Sequence, residues 1–63
     1  MNEIINAAID RAEDRVKMYP TLTAWVICNG ETALVSFSER ATKKRTADGW
    51  RIVTTRKGGK AAG

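Results

Sequence analysis

Read for the alternation of apolar and polar positions, the chain divides at Pro20. Before it, Ile5, Ala8, Ile9, Ala12, Val16 and Tyr19 recur at helical spacing, with Asp10, Arg11, Glu13, Asp14 and Lys17 mainly on the other side. Residues 2–18 include neither Gly nor Pro. Asn2 suits the N-cap, and Glu3 suits the positive end of a helix dipole. Glu13 and Lys17, four apart, are placed for an ion pair worth about 0.3 kcal/mol. The helix ends at Tyr19, because the proline after it disfavours the α conformation there.

Beyond Pro20 the segments 22–28 and 32–38 are apolar and rich in β-branched residues, and they flank the dipeptide Asn29-Gly30. A third such run, 50–56, follows the breaker Asp48-Gly49. The expected fold class is α+β: one N-terminal helix packed on a three-stranded antiparallel sheet in meander order. The Asn-Gly signal favours a two-residue turn pairing Ile27 with Thr32, Trp25 with Leu34 and Ala24 with Val35. That register puts Leu22, Ala24, Val26, Cys28, Ala33, Val35 and Phe37 on the helix side. A three-residue loop with Gly30 in a bulge instead brings Trp25 and Ile27 onto the face of Ala33, Val35 and Phe37. Either way the second face keeps apolar side chains. Residues 39–49 read as an outward extension of the second strand, with its far turn at 46–49, or as a mobile loop. Both readings expose Lys43, Lys44 and Arg45.

Sixty-three residues make one domain, expected over 1–57, with 58–63 as a flexible tail. A chain this short buries only about 60% of its unfolded surface, so self-association, through an edge strand or the second sheet face, is expected to supplement a small core. The homodimer interface would draw on Trp25, Ile27, Leu34 and Trp50. A lone cysteine, Cys28, leaves no internal disulfide and reads as a small core residue in a reduced, cytoplasmic setting. No signal-peptide pattern and no membrane-length apolar run is present, so no membrane partner is expected.

Candidate chemistry is sparse. Histidine is absent, Cys28, Ser36 and Ser38 have no visible base, and Asp10 and Asp14 read as a solvated helix face. Gly58-Gly59 follows a strand but opens no helix, so no phosphate loop is formed. The chain is expected to be no enzyme and to hold no metal or cofactor.

Charge adds more. The net charge is +4, and eight of the eleven bases lie after Ser38, where only Glu39 and Asp48 oppose them. Such asymmetry points to a polyanionic or acidic partner. The leading expectation is non-specific binding of the nucleic-acid backbone by Arg40, Lys43, Lys44, Arg45, Arg51, Arg56 and Lys57 on a basic hairpin or loop over 40–56, with Trp25 or Trp50 stacking on a base. The alternative is a phage- or plasmid-type accessory protein that binds and inhibits an acidic host protein through its exposed sheet face.

Overall fold

A computed structural model describes residues 2–59. Helix α1 (Asn2–Met18) buries Ala8, Ala12 and Val16, one turn apart, with Ile5 and Ile9 packed beside them. Asn2, expected as the cap, already lies within the helix. The Tyr19 N–H still reaches the Arg15 carbonyl at 2.8 Å, and Leu22 then donates to Tyr19, closing the turn around Pro20. Tyr19 itself points outward, so the buried stripe ends one turn earlier than its spacing suggested. Glu13 pairs at 3.5 Å with Arg56, not with Lys17 as expected.

Strands β1 (Thr23–Cys28) and β2 (Ala33–Ser36) form an antiparallel hairpin that pairs Ile27 with Leu34 and Cys28 with Ala33. The turn is centred one residue later than expected. Asn29 remains paired, donating its N–H to the Thr32 carbonyl, while Gly30 (φ 94°) and Glu31 form the tip. Asn29 keeps a negative φ, and its Oδ1 accepts from the Glu31 and Thr32 N–H groups, both at 2.9 Å. Asparagine here acts through its side chain and not by entering the left-handed region. Moving the tip by one residue shifts the pairing by two, which preserves the faces. Ala24, Val26, Cys28 and Ala33 are therefore buried against α1, with Leu22 and Val35 beside them. Phe37 is corrected: β2 stops at Ser36, and Phe37 leaves the sheet 42% exposed.

The segment 39–49 is neither strand nor loop. Residues Glu39–Ala47 form a second helix, α2, and Arg51–Lys57 form β3. The Ser38 hydroxyl caps α2 by accepting from the Ala41 N–H at 3.2 Å. At the other end Trp50 donates to the Arg45 carbonyl and Gly49 to that of Thr46, with Gly49 at φ 100°. This double closure requires a residue that enters the left-handed region without strain. The sheet is antiparallel throughout, but its order is β2-β1-β3 and not that of a meander. β3 pairs with the far side of β1 because α2 carries the chain across to it.

The β1–β3 pairing has a bulge: Val26 faces Thr54 and Ile27 faces Ile52, leaving Val53 out of step. At the far end the Gly58 N–H donates to the Leu22 carbonyl at 3.0 Å, and a Cβ on Gly58 would run into the Pro20 carbonyl. The remainder of the expected tail, 60–63, lies outside the described residues.

Candidate functional site

The β1 residues that alternate with the α1-facing row are Thr23, Trp25 and Ile27, and pairing puts Lys57, Thr55 and Ile52 beside them. Helix α2 starts after the Ser36 end of β2 and finishes just before Arg51, which pairs with Cys28 near the hairpin tip. It therefore runs the length of this second face, about 13 Å at 1.5 Å per residue. Its one buried residue is Thr42. The Thr42 hydroxyl bonds to the Ser38 carbonyl at 2.7 Å and lies 2.9 Å from the Ser36 hydroxyl, pinning the helix to the end of β2. Ile27 is only 1% exposed. Its expected place in a displayed interface is thus corrected, because a central strand with a helix over this face does not present it.

The basic residues are divided by this arrangement. Two positions either side of Thr42 is about 200° around the helix, so Arg40 and Lys44 form an outward row one turn apart. Lys43 lies toward the sheet cleft and pairs with Glu39 at 3.4 Å, both strongly exposed. Arg45 lies on the other flank, its guanidinium 5.4 Å from the centre of the Trp50 ring. That contact ties up both groups, and Trp50 is partly buried. Lys57 opens on the same face as Trp25. Arg51 and Arg56 pair with Cys28 and Ala24, which places them on the α1 side, where Arg56 meets Glu13 and donates to the Thr54 hydroxyl at 2.7 Å. The expected single cluster is therefore a set of four, Arg40, Lys43, Lys44 and Lys57, with Arg45 engaged and Arg51 and Arg56 turned elsewhere.

Between α2 and the sheet lies an open cleft of about 570 Å³. Trp25 and Ile52 supply its apolar surface, Thr23, Thr42, Thr46 and Thr55 supply hydroxyls, and Glu39, Lys43 and Lys57 stand at its rim. The cleft exists because Trp25 is flanked across the sheet by small residues, Ser36 on one side and Thr55 on the other. Neither can cover an indole, which is left partly exposed.

Nearer the hairpin tip, Leu34 and Ile52 flank the buried Ile27 at 38% and 49% exposure, and Val53 is exposed at the bulge. Cys28 is buried, as expected of a core residue, and Asp10 and Asp14 are exposed on α1. No helix of the described residues is long and apolar enough to cross a membrane. Comparison with protein-family models, with curated proteins and with solved structures gives no match for this chain.

Proposed function

We propose that this protein binds the nucleic-acid backbone without strong sequence preference, using α2 and the adjoining end of β3. The observation that carries the reading is the exposed row Arg40 and Lys44, with Lys43 beside it, on a capped helix whose one acid is Glu39. A helix fixes the spacing of these charges at little entropic cost. Lys43 is held by Glu39 only through an exposed pair, which gives way readily to a phosphate. Four contacts, from Arg40, Lys43, Lys44 and Lys57, correspond to a log–log salt slope of about −3 on single strands and somewhat steeper on duplex. Affinity should then fall roughly 50-fold between 50 and 200 mM salt.

The test is retardation of labelled single-stranded and duplex probes by the wild-type chain and by Arg40→Ala/Lys43→Ala/Lys44→Ala. The triple variant should lose about two units of slope on single strands and weaken all sequences alike, because phosphate contacts position without specifying. Absence of retardation at about 50 mM salt, where counterion release favours binding most, would refute the reading.

A second reading draws on Leu34, Ile52 and Val53. These exposed apolar side chains lie on the two edge strands, Leu34 on β2 and Ile52 and Val53 on β3, and suit either a homodimer contact or the blocking of an acidic host protein by an accessory factor of phage or plasmid type. Leu34→Ser/Val53→Ser separates the two. It should abolish a protein complex and leave salt-dependent nucleic-acid binding intact.

A further inference from the structure

We infer that the cleft beneath α2 is a subsite for one unpaired nucleotide of a single strand, with Trp25 as its stacking floor and Lys43 and Lys57 as its phosphate contacts. This rests on the backbone-binding reading and narrows it from nucleic acid in general to single strands.

Trp25 is the starting point. A large aromatic in the central strand of a three-stranded sheet would ordinarily be covered by its neighbours or by the helix above. Here its cross-strand partners are Ser36 and Thr55, and the helix contributes Thr42 and Thr46 to the cleft instead of an apolar side chain. The volume, about 570 Å³, falls within the range of small-molecule sites. A nucleobase has the flat π-face that a half-covered indole accepts, and every base has one, so stacking adds affinity without sequence preference. The flanking lysines come from different elements, α2 and β3, and so can take phosphates on both sides of a stacked base.

The hydroxyls divide in the same way. Those of Thr42 and Thr46 already donate to the Ser38 and Lys43 carbonyls, while Thr23 and Thr55 line the sheet side toward Lys57. A paired duplex cannot offer the face of a base to a floor walled by a helix and a strand. An acidic peptide would satisfy the lysines but leave the indole without a partner. Glu39 stands on the same rim and opposes any anion, so its neutralisation should tighten binding.

The chain has two tryptophans, so Trp50→Phe leaves Trp25 as the sole reporter. That variant is titrated at about 50 mM salt with oligo(dT) of roughly ten nucleotides, with a duplex of the same length, and with poly-glutamate. Oligo(dT) should quench Trp25 emission, and the other two should not. In the native background, Trp25→Leu should weaken single-strand binding about tenfold and leave duplex binding within about twofold. Glu39→Gln should tighten single-strand binding a few-fold.

Single-strand binding without quenching, or an equal loss on both probes, overturns the subsite while the backbone reading stands. Equal quenching by poly-glutamate also overturns it, in favour of an acidic chain. If neither nucleic acid binds, the backbone reading fails and this one with it. The quenching readout keeps Trp25 in place, so it stands even where Trp25→Leu disturbs folding.

Discussion

On one face of the sheet, α1 sets Ala8, Ala12 and Val16 against Ala24, Val26, Cys28 and Ala33, all of them buried; on the other, α2 buries only Thr42 of its own and holds it with hydroxyl hydrogen bonds. The first contact is made of small apolar side chains that let backbones approach closely. The second leaves an open cleft with an aromatic floor and charged rim. Both helices are capped or turned by local signals, so the difference lies in what they place against the sheet. Close apolar packing stabilises a small domain and leaves no surface for a ligand. A helix anchored at Thr42 leaves surface beside it for a second task.

The largest expected effect probes the one place where the open face is closed. Ile27→Ala should lower unfolding free energy by about 2–5 kcal/mol in urea titrations, because the side chain is fully buried beside Leu34 and Ile52. A loss under about 1 kcal/mol would mean that this side chain is not tightly packed between Leu34 and Ile52.

Overpacking then distinguishes the faces. Ala12→Leu should cost about 1–3 kcal/mol, since the α1 contact has no room for added methylenes. Thr46→Leu, facing the cleft, should stay within about 0.5 kcal/mol. Equal costs would erase the contrast. A further effect concerns how α2 begins. Ser38→Ala removes its N-cap and should cost about 1 kcal/mol, with hydrogen exchange speeding first over 39–47.

The sequence carried the first face clearly and the second poorly. Seventeen residues with one apolar stripe and a proline stop are strong evidence for a helix, and α1 runs over the expected residues. The hairpin faces were legible even though the turn was misplaced, because a two-residue shift keeps parity. Helix α2 was hidden because 39–47 has only Ala41 and Ala47 as apolar residues, and its threonines read as strand formers. The signals that would have found it are Ser38 as a cap, Glu39 four before Lys43, and Asp48-Gly49 as a stop.

Strand order followed from the same omission, since without a helix the third strand has no means of crossing to the far side of β1. The bases were visible as a cluster. Their separation onto two faces was not, because it depends on the register of β3, including the bulge at Val53.

The most direct measurement of the division between a closed face and a binding face is a heteronuclear NMR titration of the folded chain with oligo(dT). Shifts should change at Arg40, Lys43, Lys44, Thr46, Thr55 and Lys57 and at the Trp25 indole, while Ala8, Ala12 and Val26 stay in place. Changes centred on α1, or on the shallow pocket formed by Arg11, Arg15 and Phe37, would contradict it.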